Sequence, residues 1–144
     1  MYVQRILDTK GSDVITVRLG QPIREAVALL VKHNIGALVV VDKSNQPVGW
    51  ISERGIVRAL VRDENIFEQP VSKIMRSNVP IARSKDAIMD VANTMTEERV
   101  RHLPVIDEGN LVGIVSIGDV LKFQRDQYEG EAELLQSYVF DTWR

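Results

Sequence analysis

The chain matches itself when its two halves are aligned. Residues 34–42 (NIGALVVVD) and 48–52 (VGWIS) have counterparts in residues 101–107 (RHLPVID) and 111–116 (LVGIVS). Three pairs of matched positions carry identical residues: Gly49 and Gly113, Ser52 and Ser116, and Asp42 and Asp107. Self-similarity of this kind indicates a duplicated unit whose copies pack on each other. We therefore predict two pseudo-symmetric repeats that bury a shared face.

Each repeat has the pattern β-α-β-β-α. Apolar residues three and four apart give each first helix one core-facing side, and the strands that follow are continuously apolar. A short segment opens each repeat, at residues 3–7 and at residues 71–75. In both segments apolar residues lie three and four apart, as one face of a short helix requires. The predicted elements are strands 14–17 and 79–82, helices 22–33 and 85–98, strands 37–41 and 103–106, strands 48–51 and 111–115, and second helices after Ser52 and Ser116.

These elements predict an α/β (α+β) fold in which the two repeats pack sheet to sheet. We expect residues 1–67 to form the first repeat with an N-terminal linker helix, residues 68–124 the second repeat, and residues 125–144 a C-terminal helical tail. Gly130 is expected to interrupt the tail helix. Its apolar residues recur at helical spacing, which predicts a stripe that packs against its own module or a second copy: Leu134, Leu135, Tyr138 and Val139, with Phe140 and Trp143 beyond them.

Composition excludes several classes of protein. The net charge is −2, and the charged residues are scattered, so a basic nucleic-acid-binding surface is not expected. The chain has no cysteine, which excludes disulfides, thiolate metal sites and thiol nucleophiles, and is typical of a reducing compartment. No signal peptide or apolar run of about 18 residues is visible. We therefore expect a soluble cytoplasmic protein with no membrane partner.

Catalytic and metal-binding motifs are absent from the sequence. His33 and His102 lie in different repeats without an HExxH pattern, so no zinc site is predicted. There is no GxSxG nucleophile elbow, and the glycines around Gly113 and Gly118 do not form GxGxxG. We predict no catalytic residues, no bound metal and no enzyme activity.

The two repeated motifs resemble a tandem pair of CBS (cystathionine-β-synthase) domains, also called a Bateman module. The resemblance covers the chain from Val3 to about Lys122. It implies two clefts between the paired sheets, at least one of which holds AMP, ADP, ATP, NAD(H) or S-adenosylmethionine as a ligand. It also implies a homodimer in which four repeats form a flat disc. No cofactor is required for this role.

The family pattern is Gly, two apolar residues, Ser or Thr, two variable residues and Asp, whose carboxylate accepts hydrogen bonds from both ribose hydroxyls. The second repeat has Ser116 and Asp119, but the first has Gly55 after Ser52. Loss of a charged acceptor costs about 1.5–3 kcal/mol, so we expect the second site to be stronger and the first to be weak, altered or empty. The remaining candidate ligand-binding residues are Val79, Ile81, Arg101, His102, Leu103 and Pro104 from the second repeat, and Gly36, Ala37 and Arg54 from the first.

Several of these residues also have an ordinary structural interpretation. Ser116 and Asp119 fit a helix capping box, a role that is compatible with ligand binding because the cap uses only part of the carboxylate. Arg99 is expected to be solvated beside two glutamates, whereas Arg101 and His102 lie where the cleft should open. Arg54 and Lys122 fit exposed ion pairs as well as phosphate contacts. Trp50 fits core or interface packing better than adenine stacking.

Two functions follow from this interpretation. The first is a regulatory module that senses an adenosine nucleotide and acts on a separate partner protein. The second is a dimeric scaffold without a ligand, in which the dimer faces and the tail recruit a partner. A ribose-binding acid and a basic edge suit every adenosine ligand, so the sequence does not select one. The regulated partner is unknown.

Overall fold

The computed structural model describes the backbone of residues 1–143 and the side chains of residues 1–139. The first half contains α1 (Val3–Lys10), β1 (Thr16–Arg18), α2 (Ile23–His33), β2 (Ala37–Val41), β3 (Pro47–Ser52) and α3 (Glu53–Arg62). Two 3₁₀ turns, Ile66–Glu68 and Val71–Lys73, join the halves. The second half contains α4 (Ile88–Glu98), β4 (His102–Asp107), β5 (Asn110–Ser116) and α5 (Ile117–Trp143).

The first repeat has the predicted β-α-β-β-α order. Its three strands form one sheet with β2 in the centre, parallel to β1 and antiparallel to β3. All five residues of β2 are buried, and three of them are valine. Branched side chains of this kind suit a strand that is covered on both faces. The prediction for the first repeat is confirmed.

The sheet of the second repeat has two strands rather than three. β4 and β5 pair antiparallel, but the predicted strand at residues 79–82 is wrong: only Ala82 forms a parallel bridge, to Val105. Ala82 N donates to Pro104 O (2.9 Å), and Ile106 N donates to Ala82 O (2.8 Å). Pro80 has no N–H with which to continue this ladder, so the pairing ends after one residue.

Each repeat has its own hydrophobic core, and the segment that precedes each repeat lies in the core of the other. α1 buries three apolar residues in the core of the second repeat: Val3, Ile6 and Leu7. Residues 71–76, which we call the exchanged segment, place Val71 in the core of the first repeat, with Ile74 and Met75 packed against it. This segment forms a 3₁₀ turn instead of the short helix predicted. The domain boundary at residues 67 and 68 stays a prediction.

The exchanged segment and α1 each pass a strand at a glycine. Trp50 N donates to Arg76 O (2.9 Å) and Arg76 N donates to Trp50 O (2.8 Å) beside Gly49. A Cβ atom on Gly49 would lie 2.3 Å from the Arg76 carbonyl oxygen, and one on Gly113 would lie 2.6 Å from Leu7 Cδ2. The matched glycines therefore allow the close approach on which the exchange depends.

α4 begins later than predicted because the N-terminus pairs with the residues before it. The predicted helix covers residues 85–98, but the first helical residue is Ile88. Val3 N donates to Asp86 O (2.9 Å) and Gln4 N donates to Ser84 O (2.9 Å). These hydrogen bonds hold residues 84–87 against the start of α1, outside the helix.

α5 runs without a break through Gly130, contrary to the predicted interruption. A glycine inside a helix costs only about 1 kcal/mol relative to alanine, and its neighbours Glu129 and Ala132 are good helix formers. Leu134, Leu135, Tyr138 and Val139 are exposed, so the stripe is not buried within its own module, and its burial against a second copy stays a prediction. The side chains of Phe140 and Trp143 lie outside the described residues. No helix within residues 1–143 has both the length and the apolar character to cross a membrane.

The two repeats meet at an aromatic contact. The rings of Trp50 on β3 and His102 on β4 lie edge to face, with centroids 5.2 Å apart and an interplanar angle of 72°. Trp50 is only 5% exposed, as expected for the packing role predicted for it. The contact links the sheet of one repeat to the sheet of the other.

The close approach at Gly49 predicts a stability effect. Gly49→Ala should lower the free energy of unfolding by about 1–3 kcal/mol, because the new methyl group collides with a backbone carbonyl that cannot rotate away. Gly20→Ala is the matched control, since a Cβ atom there meets no atom within 4 Å. Urea unfolding of both variants measures the difference. Equal stability of the two variants would contradict the packing described here.

Candidate functional site

Ser116 and Asp119 form a capping box at the start of α5. Asp119 N donates to Ser116 Oγ (3.1 Å), and Ser116 N donates to Asp119 Oδ2 (2.9 Å). These two hydrogen bonds satisfy backbone donors that the first turn of a helix leaves free. The structural interpretation of the motif is therefore present. It uses Oδ2 and, within the described side chains, leaves Oδ1 without a hydrogen bond.

Lys10, the last residue of α1, pairs with the same carboxylate. Its Nζ atom lies 2.6 Å from Asp119 Oδ2, and the side chains of Lys10 and Asp119 are 33% and 22% exposed. Burial acts to raise the pKa of Asp119, but the hydrogen bonds from Lys10 and Ser116 outweigh it and lower the pKa below its usual value. The acid is therefore ionised near neutral pH. Because Lys10 belongs to α1, the exchange of α1 creates this contact.

A cavity of about 300 Å³ opens beside this ion pair, between α1 and α5. We call it the Asp119 cavity. Three cations line it, and Phe123 and Ile6 contribute apolar surface. The charged residues of its lining are Arg5, Lys10, Lys122, Asp119 and Asp126. The cavity thus combines two acids, an aromatic ring and three cations.

The first repeat has the same helix cap, at Ser52, but lacks the aspartate. Ser52 caps α3 by accepting a hydrogen bond from Gly55 N at 3.1 Å, the same length as the Asp119–Ser116 bond. A Cβ atom on Gly55 would meet only Ser52 Oγ, at 3.4 Å. The space for a side chain exists, but no carboxylate occupies it. The sequence difference between the repeats therefore changes chemistry and not backbone geometry.

A second cavity, of about 330 Å³, opens around Ser52 and Gly55. Residues from both repeats line it, including Gly36, Trp50, Glu53 and His102. Five arginines also line it: Arg54, Arg58, Arg76, Arg99 and Arg101. We call this cavity the arginine cleft. Five of the predicted site residues line the arginine cleft: Gly36, Ser52, Arg54, Arg101 and His102. Asp119 lines the other cavity.

His102 stands between the two cavities. It lines the arginine cleft, and β-sheet pairing places it opposite Ser116. Burial lowers the pKa of its imidazole below the usual value, and the charges of Lys10 and Arg101 lower it further against the opposing effect of Asp119. The ring is therefore neutral at pH 7 and can donate one hydrogen bond and accept another.

The remaining predicted residues lie elsewhere. Val79, Ile81 and Pro104 line a separate groove between the repeats, which also contains Trp50. Ala37 and Leu103 are buried in the sheets, at 5% and 0% exposure, so their side chains support the site without facing a cavity. The structure thus divides the predicted residues among two cavities, one groove and the core, and their roles in binding stay predictions.

Sequence reasoning missed several of the charged residues in both cavities. Arg58 was missed, although it lies one turn after the predicted residue Arg54 on α3, a spacing that indicates a shared helix face. Arg99 is exposed, as expected, and it also lines the cleft with Arg101. Arg76 carries no sequence signal, because only the fold of the exchanged segment brings it there. The same holds for Arg5 and Lys10 on α1 in the Asp119 cavity. Among the described side chains, no three of His, Cys, Asp or Glu gather as a metal site would require.

Comparison with known protein families decides the identity of the fold. The profile of the CBS domain matches residues 6–62 and again residues 71–126. The chain belongs to the CBS domain family. The predicted tandem pair is confirmed, and each copy of the domain coincides with one repeat of the structure. CBS domains are generally non-catalytic regulatory modules.

Individual relatives share this organisation. The CBS domain-containing protein YhcV of Bacillus subtilis (strain 168) is 32% identical over 115 residues, which cover 80% of this chain and 81% of YhcV. The crystal structure of the CBS-domain containing protein ATU1752 from Agrobacterium tumefaciens superposes with a TM-score of 0.81 at 39% identity. That match covers 84% of this chain and 91% of ATU1752. The CBS pair is thus similar in sequence and in fold to these proteins.

One solved relative carries adenosine ligands. The CBS domain pair of protein MJ0100 was crystallised in complex with 5′-methylthioadenosine and S-adenosyl-L-methionine. It is 30% identical to this chain with a TM-score of 0.79, and the match covers 88% of this chain and 98% of that one. Adenosyl ligands are therefore bound by a CBS pair that closely resembles this chain.

The charges around His102 predict its titration. The imidazole of His102 should titrate below about 6.5, the usual histidine value. Lys10→Met should raise that midpoint, because it removes a nearby positive charge and leaves Asp119 uncompensated. NMR titration of the ring protons measures both proteins. Lys32→Met, at the exposed end of α2, is the control and should leave the midpoint unchanged. Identical midpoints in all three proteins would contradict the placement of Lys10.

Proposed function

We propose that this CBS pair binds an adenosine-containing ligand in the Asp119 cavity and thereby regulates a separate partner protein, without catalysis. The observation that carries the proposal is the Asp119 carboxylate at the edge of a cavity lined by cations and a phenylalanine. A carboxylate, a ring and positive charge match the ribose, the base and the phosphates of an adenine nucleotide.

The ribose is assigned to Asp119. An ionised carboxylate has about four acceptor positions, and the cap and Lys10 use two of them on Oδ2. Oδ1 accepts no hydrogen bond among the described residues and is free to take a ribose hydroxyl. If the cis-diol spans both carboxylate oxygens, its second hydroxyl competes with Lys10 for Oδ2. Binding of a cis-diol is thus expected to loosen the Lys10–Asp119 pair.

The rest of the ligand is assigned to the walls of the cavity. Phe123 offers an apolar surface to the adenine base. Arg5 and Lys122 supply positive charge for phosphates, together with Lys10 once it leaves Asp119. The ligands considered are AMP, ADP, ATP, NAD(H), S-adenosylmethionine and 5′-methylthioadenosine. The complex of MJ0100 supports the adenosyl class.

Regulation follows from the position of Lys10. A ligand changes a conformational equilibrium only by binding one state more tightly than another. Because Lys10 ends α1, a ligand that displaces it favours a different position of α1 against α5. We propose that this shift alters a homodimer surface or a partner surface. The regulated protein is a separate chain that responds to this change of surface.

Replacement of the acid tests the proposed function. Asp119→Asn should weaken binding of AMP, ATP, NADH, S-adenosylmethionine or 5′-methylthioadenosine by about 1.5–3 kcal/mol, because it removes a charged acceptor. That is roughly 10- to 150-fold in affinity. Isothermal titration calorimetry measures the loss. Asp126→Asn is the matched control, since Asp126 lines the same cavity but pairs with Arg125 (3.2 Å).

A ligand-independent scaffold is the second candidate function. The exposed leucines Leu134 and Leu135 on α5 favour it, because exposed apolar patches often mark interaction surfaces. Absence of heat and of thermal stabilisation with every one of these ligands at millimolar concentration would favour the scaffold and exclude the sensor. Equal affinity of the wild type and Asp119→Asn would exclude the assignment of ribose to Asp119.

A further inference from the structure

We propose that one exposed side of α5 is a docking surface for a helix of a separate protein, a helix with apolar residues at heptad spacing and lysine or arginine beside them. The surface consists of six residues, which we call the α5 seam: Leu121, Arg125, Tyr128, Ala132, Leu135 and Val139. The inference goes beyond nucleotide binding and rests on none of the residues assigned to the ligand. It therefore stands or fails separately from the proposed function.

The α5 seam has the spacing of one helix in a coiled coil. Its members follow one another at intervals of four, three, four, three and four residues along α5. Two residues in every seven thus lie on one stripe of the helix, which is the arrangement that packs against a second helix. Leu134 is next to Leu135 in the chain but lies outside this stripe.

No residue in the described part of the chain buries the α5 seam. All six of its residues are exposed, and Leu121, Tyr128 and Leu135 keep 58%, 73% and 65% of their surface accessible. Val120, the residue before Leu121, is only 1% exposed and belongs to the core of the second repeat. α5 thus packs into its own module with one side and leaves a different side, the seam, uncovered.

The uncovered part of α5 is long. The helix has 27 residues, which span about 40 Å at 1.5 Å per residue, and all residues from Glu131 to Val139 are exposed. Helices in water gain most of their stability from an apolar face that packs on a neighbour. Gly130 also lowers the helix propensity of this part. A partner helix along the seam would supply the packing that the end of α5 lacks.

The flanks of the seam are acidic. In a coiled coil, the residues on either side of the seam contact the flanks of the partner helix and form ion pairs with them. These positions include Glu129 on one side and Glu131 on the other. Residues 126–139 contain four acids and no lysine, arginine or histidine: Asp126, Glu129, Glu131 and Glu133. Only Asp126 is paired with a cation among the described side chains, with Arg125 at 3.2 Å. The surface therefore complements a helix with basic flanks.

A second copy of α5 is a poor match for this seam. In a parallel pair, Arg125 would face its counterpart in the second copy across the seam. In an antiparallel pair centred on Gly130, which is the register that brings all six seam residues together, Glu129 and Glu131 would each face their own counterparts. Like charges placed opposite each other select against a partner. The charges thus favour a basic helix over a second copy.

A synthetic helix serves as the probe for this surface. The probe is a peptide of about three heptads with leucine at both seam positions and lysine at both flanking positions, and its control has glutamate at the flanks. Fluorescence anisotropy without nucleotide measures binding of each peptide to the full chain. The lysine peptide should bind at least tenfold more tightly than the glutamate peptide. The difference should shrink as salt is added, because exposed charges are screened.

Two adjacent leucines distinguish the seam from exposed apolar surface in general. Leu135→Asn, on the seam, should weaken binding of the lysine peptide at least tenfold. Leu134→Asn is the matched control, because Leu134 is 72% exposed and Leu135 65%, but only Leu135 lies on the seam. The control should change the affinity by less than about twofold. Circular dichroism and thermal unfolding check that both variants are folded.

Reversal of the flanking charges tests the chemistry of the partner. Glu129→Lys with Glu131→Lys should make the chain prefer the glutamate peptide, because the ion pairs across the seam then need acids on the partner. Glu64→Lys with Glu97→Lys is the matched control. It changes the net charge equally at exposed residues outside α5 and should keep the preference for the lysine peptide.

Three outcomes would overturn the docking surface. They are a lysine peptide that binds no more tightly than the glutamate peptide, equal losses in Leu134→Asn and Leu135→Asn, and dissociation of a wild-type dimer by Leu135→Asn in sedimentation velocity. The last outcome would make a second copy the occupant. If no adenosine ligand binds the wild-type chain but the lysine peptide does, the proposed function is wrong and this surface is supported.

Discussion

The reciprocal exchange of α1 and residues 71–76 between the repeats is the constraint on which both cavities depend. Each exchanged piece buries apolar side chains in the core of the other repeat, so neither core is complete without the other half of the chain. The exchange requires the Arg76 carbonyl group and the Leu7 side chain to lie very close to a strand, and Gly49 and Gly113 make this possible. Removal of apolar surface from water supplies the driving force.

The exchange also makes the two cavities chemically different. It brings Lys10 onto Asp119 at one cavity and Arg76 into the lining of the other. The helix caps at Ser52 and Ser116 keep the same geometry in both repeats. The two repeats therefore share the cap at the start of the second helix, while the residues around it differ: Asp119 and Lys10 at one cavity, Gly55 and five arginines at the other.

Much of the fold could be predicted from the sequence because its signals are local. The buried strands, the amphipathic helices and the cap at Ser116 depend on residues close in the chain. The neighbours of Pro80 favour a strand at residues 79–82, but Pro80 has no backbone N–H to donate. The absence of the strand could be predicted only by giving Pro80 more weight than its neighbours. The uninterrupted α5 shows that the neighbours of Gly130 outweigh its low helix propensity.

The composition of the cavities was harder to predict, since it depends on contacts between distant residues. Ser116 and Asp119 were found from their motif, but the contact between Lys10 and Asp119 spans 109 positions. Arg76 and Arg99 carry no local pattern that marks them as cleft residues. Arg101 and His102 are predicted at the edge where a cleft opens, and the cleft around Gly55 contains them.

In the proposed function, Asp119 exchanges Lys10 for the ribose of an adenosine ligand. A crystal structure of this chain with bound ATP tests this exchange. Both ribose hydroxyls should donate hydrogen bonds to the Asp119 carboxylate, with Lys10 Nζ moved away from Oδ2. An intact Lys10–Asp119 pair, with adenosine bound away from this carboxylate, would contradict it.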